Sequence, residues 1–214
     1  MLKSILTGIV LTLTLCLFDS AEAQYREEIL ESRHQGSVYR NYGFKTFTRA
    51  GVAFSNRDRF SDIETPYGTI GGSIPVITRG RFRLNLEGEL YVERSQTDIF
   101  NSDYLFLAEF RRWNFAALFG GRAEYALTSS LSPFISLAAG PAYLDSMAQV
   151  LGEGDELLLD AKDHSIQVAY SGRAGASLYL GEGFAIEAAY RYLGLTTNPT
   201  TGQHGGEIGL SLEF

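Results

Sequence analysis

Between Arg81 and Arg94 the chain reads RFRLNLEGELYVER, a pattern that leaves little choice of backbone. Phe82, Leu84, Leu86, Gly88, Leu90 and Val92 alternate with Arg81, Arg83, Asn85, Glu87, Glu89, Tyr91 and Glu93. A period of two sends successive side chains to opposite faces of a strand, so this segment has one apolar face and one charged face. Fourteen residues is long for a strand of a globular protein, but it suits a strand that crosses a membrane at a tilt.

The same alternation returns along the chain. In 44–54, Phe44, Thr46, Thr48, Ala50, Val52 and Phe54 oppose Lys45, Phe47, Arg49, Gly51 and Ala53. Further alternating segments lie at 115–127, 166–180, 184–192 and 207–214, and weaker ones at 67–78 and 133–143. Pro75 and Pro141 fall in the weaker two, where each is expected to mark a bulge or a strand end. The count reaches eight strands. Short turns are expected at Arg79-Gly80, 128–132 and 181–183, against longer polar connections at 55–66, 96–112, 144–164 and 193–203. Turns on one side and loops on the other describe an up-and-down transmembrane barrel. Aromatic residues of the apolar face fall near the two ends, with Phe44, Phe82, Tyr125, Phe184 and Phe214 by the turns and Phe54, Tyr143 and Tyr192 by the loops, as two interfacial girdles would require. One stretch breaks phase. Glu109 and Arg111 sit on the parity opposite to Arg122 and Glu124, so a bulge near Arg112-Trp113 is expected, with the earlier part projecting as a hairpin arm.

The front end is of another kind. Lys3, the apolar run 5–18 and the small-residue site Ala21-Glu22-Ala23 form a secretory signal peptide over 1–23. The only cysteine, Cys16, lies within it, so the mature chain has no thiol chemistry and no disulfide. Cleavage removes Lys3, Asp19 and Glu22 and moves the formal charge from −7 to −6, which argues against nucleic acid as a partner. Residues 24–42 are a polar N-terminal segment, and 43–214 the barrel.

The charged face carries Lys45, Arg49, Arg83, Glu87, Glu89, Arg122, Glu124, Arg173, Glu187, Arg191 and Glu207. Eight strands enclose a space that side chains can just fill, and charges persist there when paired. The expected interior is a salt-bridged plug; a wet polar lumen and a narrow solute path are the alternatives. A catalytic site is not expected: His34, His164 and His204 are far apart, and Ser165 beside His164 points to the other face of a strand. Nor is a metal or cofactor expected, since the acidic stretch 145–163 lacks a calcium-loop spacing. Arg57 and Arg59 in the first long connection could meet lipopolysaccharide phosphates, although solvation is the simpler role.

The stretch GRAGASLYLGEGFAIEAAYRYLGL (172–195), together with the ending IGLSLEF, resembles the eight-stranded outer-membrane β-barrel superfamily, of the opacity-protein and outer membrane protein A transmembrane-domain type. The resemblance covers roughly 43–214 and implies an all-β, eight-stranded antiparallel up-and-down transmembrane β-barrel in the cell outer membrane, reached after cleavage near Ala23. It further implies that Ile208, Leu210, Leu212 and Phe214 form the signal read by the barrel-assembly machinery during biogenesis. The expected partners are outer-membrane lipid and lipopolysaccharide, that machinery, and a surface ligand held by the loops, with the barrel itself a monomer.

Overall fold

A computed structural model describes residues 43–55, 64–101, 106–151, 156–180, 183–196 and 201–214. The signal peptide expected over 1–23, the polar segment 24–42, and Arg57 and Arg59 lie outside the described residues. Eight strands follow in chain order: β1 (Lys45–Ser55), β2 (Glu64–Arg79), β3 (Phe82–Asn101), β4 (Phe106–Tyr125), β5 (Leu131–Leu151), β6 (Leu157–Tyr179), β7 (Phe184–Leu195) and β8 (Thr201–Glu213). Each pairs antiparallel with its neighbours in sequence, and β1 closes the ring on β8. The seam runs to the last residue. Phe214 N–H donates to Phe44 O at 2.8 Å and Gly43 N–H to Phe214 O at 2.8 Å.

Following hydrogen-bonded partners once around the ring leads from Ser55 through Gln203, Leu193, Ser171, Ala138, Gly120, Glu87 and Ser73 to Lys45. The path returns to β1 ten residues below its start. With about 3.3 Å per residue and 4.8 Å between strands, that stagger tilts the strands by about 40°.

The pleat then sorts the side chains. Outward positions are apolar and exposed, among them Ile70, Leu86, Phe119, Ile135, Leu137, Val168 and Ile208, while inward positions are buried and mostly polar. Phe82 to Val92 on β3 is an outward apolar run that rises roughly 25 Å at this tilt, the height of the lipid-facing band of transmembrane barrels.

Tight turns join the strands at the end holding the chain terminus. Gly80 adopts φ 61°, a left-handed conformation that glycine takes without strain, and so lets β2 reverse into β3 within two residues. At the other end the sequence reading needs correction. The stretches 96–112 and 144–164 are mainly strand: β3 pairs β4 as far as Asn101 opposite Phe106, and β5 pairs β6 as far as Leu151 opposite Leu157. Likewise, β7 runs to Leu195 and β8 begins at Thr201, within the connection expected over 193–203. β2 meets β3 only up to Tyr67 opposite Glu93, and β7 meets β6 only up to Leu195 opposite Ala169. β3, β4, β5 and β6 therefore continue past the rim as a four-stranded arm.

No bulge lies at Arg112-Trp113. The β3–β4 register is unbroken from Phe82↔Tyr125 to Asn101↔Phe106. Glu109 and Arg111 keep the outward phase of Trp113 and Phe115, and pair with each other at 2.8 Å beyond the apolar band, where water surrounds both faces. The two prolines differ: a register shift occurs between Pro75 and Ile77, whereas Pro141 stays in register and β4 shows no ladder partner for Gly140 or Pro141.

Close packing inside the wall makes a first test. A Cβ on inward-facing Gly51 would come within 2.5 Å of the Tyr67 ring and against the Gly206 carbonyl. Gly51→Ala is expected to lower unfolding stability in detergent micelles by about 1–3 kcal/mol through overpacking. A loss under 0.5 kcal/mol would show that Tyr67 does not sit over this residue.

Candidate functional site in the lumen

Alternation on a closed ring aims every charged position at one axis, so the lumen is where chemistry can concentrate. All eleven charged residues read from the sequence lie there, none more than 5% exposed.

Near the turn end, Arg83 on β3 donates to both carboxylate oxygens of Glu213 on β8, at 2.9 and 3.3 Å. The Tyr179 hydroxyl lies 3.2 Å from Glu213 and 3.4 Å from Glu124. Lys45 Nζ lies 2.7 Å from Glu187 and 3.6 Å from Glu124, and Arg122 sits beside Glu124 and 2.9 Å from Glu187. One layer further, Arg49 spreads its guanidinium over Glu87, Glu89 and Glu187 at 2.8, 3.1 and 3.0 Å. Arg173 bonds Glu87 and reaches Glu207 at 3.4 Å. Arg191 grips both oxygens of Glu89 at 2.8 and 2.9 Å and donates to Glu207 at 2.8 Å. The Tyr67 hydroxyl donates to Glu207 at 3.3 Å.

Five cations and five carboxylates thus form one connected lattice, and the Tyr179 hydroxyl links the Arg83–Glu213 pair to it. Arginine suits this role because its planar fork can serve several carboxylates at once. The faces of Arg49 and Arg122 lie 3.5 and 3.7 Å from the Phe47 and Phe134 ring centres, so aromatic rings cover what carboxylates do not.

Toward the loop end the lumen changes character. Leu118, Leu193, Ala53, Ala116 and Ala169 each lie on the loop side of the charges on their own strand, and they pack with Tyr67, Tyr91, Ala142, Leu144 and Leu195 into one buried apolar cluster. Beside it Glu93, 1% exposed, accepts from Tyr91 at 2.9 Å and Asn114 at 3.3 Å, bonds Gln203, and meets Arg112 at 3.3 Å. The expected charge-filled interior is therefore two-layered, an ionic lattice beneath an apolar one.

Glu213 falls on the inward parity of the 207–214 alternation, which names no partner for it. Glu93 shares the charged face of the 81–94 alternation but is not among the eleven charges expected in the network. The apolar layer was visible only as uncharged residues on the inward parity, such as Leu118 and Ala53.

Ile208, Leu210, Leu212 and Phe214 face outward on β8 and are exposed. His164 Nδ1 lies 3.2 Å from Asp145 Oδ1 on the outer face of the arm, both exposed to water. Among the described residues, no three His, Cys, Asp or Glu side chains gather as a metal site would need.

No protein-family model and no curated relative matches the sequence. Among solved structures, the chain is similar to the attachment invasion locus protein Ail of Yersinia pestis, with 14% identity over 80% of this chain and 99% of that one and a TM-score of 0.46. Neisserial surface protein A is similar at 15% identity over 80% and 97%, with a TM-score of 0.48. The N-terminal β-barrel domain of Pseudomonas aeruginosa OprF shows 15% identity over 79% and 97%, with a TM-score of 0.39. These likenesses are weak, and the assignment rests on topology and on the distribution of charge. A closed antiparallel ring leaves no backbone edge within its wall, and its exterior is apolar where its interior is ionic. The chain folds as an eight-stranded antiparallel up-and-down β-barrel with the apolar exterior of a membrane-spanning one.

Proposed function

We propose that the protein resides in the outer membrane of a Gram-negative cell as a closed barrel, serves membrane structure, and presents its β3–β6 arm outside the cell as a contact surface. The observation that carries this reading is the inversion of the barrel, with salt bridges within and apolar side chains without. Its partners on this reading are outer-membrane lipid and lipopolysaccharide around the wall, the barrel-assembly machinery during insertion, and a ligand at the arm. It performs no catalysis.

The lattice and the apolar layer above it favour a plug over a solute path. An ion would have to displace arginine–carboxylate bonds and then pass a mainly apolar layer whose polar groups, the Tyr67 and Tyr91 hydroxyls and Glu93, are already bonded to one another or to neighbours. In planar bilayers the purified barrel is expected to give no reproducible conductance steps. Steps that change with Arg122→Ala or Glu124→Ala would establish a channel through the lumen instead.

The chain ending is read as the assembly signal. Removing Phe214 costs three terminal seam bonds, each worth only about 1 kcal/mol. The truncated chain is expected to refold in detergent nearly as wild type, yet to reach the cell surface in much smaller amount. Normal surface levels, measured by protease shaving of intact cells and heat-modifiable migration, would remove that role from Phe214.

A further inference from the structure

The arm has an open edge on β6. β7 ends with Leu195 opposite Ala169, and Thr196 finishes the seam with its side chain: Val168 N–H donates to the Thr196 hydroxyl at 3.1 Å, and Thr196 N–H donates to Val168 O at 2.9 Å. From Gln167 to Leu157, β6 runs on paired to β5, and among the described residues no strand lies on its other side. Backbone groups two residues apart in a strand point the same way. Since Val168 turns its N–H and C=O to the β7 side, those of Ile166, His164, Lys162 and Asp160 face the open edge.

A second observation falls on the same segment. Leu157, Leu158 and Leu159 are each more than half exposed at the tip of the arm, beyond the apolar band. At the base of the edge, Ile166 is 75% exposed. Lysine commonly guards such edges against pairing. Here Lys162 is offset by Asp160, 3.5 Å away, and no row of like charge repels an incoming strand.

We propose that Leu157–Gln167 is a docking edge for an extended polypeptide strand of a protein outside the cell, added antiparallel to β6. The proposal rests on the surface-contact reading and names its mode: backbone bonds supply attachment and alternate side chains supply selection. The fitting strand carries apolar side chains against Leu158 and Ile166, a basic one opposite Asp160 and an acidic one opposite Lys162.

The test uses the full barrel in lipid nanodiscs. The probe is an eleven-residue, end-capped peptide of alternating valine and threonine, with lysine placed opposite Asp160 and glutamate opposite Lys162. Binding is expected to slow amide exchange at Asp160, Lys162, His164 and Ile166 and to leave Ala161, Asp163 and Ser165, which bond β5, unchanged. N-methylation of the peptide's edge-facing amides should weaken binding by at least about tenfold. Lys162→Pro, which removes one edge donor and spares the β5 ladder, should do the same, while Lys162→Thr should retain most of the affinity. Equal binding of the N-methylated peptide, or equal uptake by empty nanodiscs, would overturn the proposal in favour of side-chain or lipid adhesion. Edge amides already protected without peptide would overturn it too. Attachment assays on whole cells separate this from the broader reading: if Lys162→Pro cells attach as wild type does, the edge is wrong and contact stands. If wild-type cells attach no better than cells lacking the barrel, contact itself falls.

Discussion

Glu187→Gln is expected to lower the unfolding free energy of the barrel in lipid vesicles by about 3–5 kcal/mol, the range for breaking a buried ion pair from one side. Glu187 lies 2.7 Å from Lys45, 3.0 Å from Arg49 and 2.9 Å from Arg122, and all four side chains are within 4% of full burial. Amide oxygen can still accept hydrogen bonds, but it brings no charge, so three cations share the remaining carboxylates. The loss arises mainly from those stranded cations, not from any large net gain of the intact lattice. Glu187→Leu combined with Arg122→Met, which removes one charge of each sign, should therefore cost less than Glu187→Gln alone. Glu109→Gln on the exposed arm breaks a pair of similar length and should cost no more than about 1 kcal/mol. If Glu187→Gln matched Glu109→Gln, the lumen would have to be wet enough to screen its charges, and the plug reading would fail.

The lattice was half legible in the sequence. Parity placed Arg49, Arg122 and Glu187 on one face because the pleat is strictly two-fold and the opposite face has to meet lipid. Pairing was not legible, since it depends on the stagger of the closed ring: Arg83 meets Glu213 across 130 positions of sequence. The apolar layer had the same parity as the charges, but alternation counts cannot give depth along the axis. Beyond the hairpin expected before Arg112, the arm is not legible in the sequence, for a physical reason. Within the membrane a strand separates apolar from polar faces, whereas above it water reaches both, so Glu109, Arg111, Asp145 and Lys162 sit on outward positions and the alternation that marks a strand fades. Hydrogen bonding between neighbours continues regardless, which is why β3 to β6 extend through segments that read as loops.

That boundary between lipid and water gives the second large effect. Leu137 lies midway along the outward apolar run of β5, from Leu131 to Tyr143, and is 73% exposed over Gly121 and Gly172 on the neighbouring strands. Ile166 is 75% exposed, but stands opposite girdle residue Tyr143 and one outward step below His164. By exposure alone the two positions are equivalent, and in water arginine at either would change stability by less than about 0.5 kcal/mol. In a bilayer they differ. Leu137→Arg should cost about 2–4 kcal/mol at mid-depth, and Ile166→Arg about 0–1 kcal/mol near the interface. Equilibrium unfolding from vesicles measures both, and repeating it in detergent micelles should shrink the gap, since a micelle deforms around the charge more readily than a bilayer does. Equal costs in vesicles would mean that the apolar exterior is not held at the depth the strand tilt assigns to it. The gap tests the barrel's placement independently of its interior, because neither substitution touches a lumen residue.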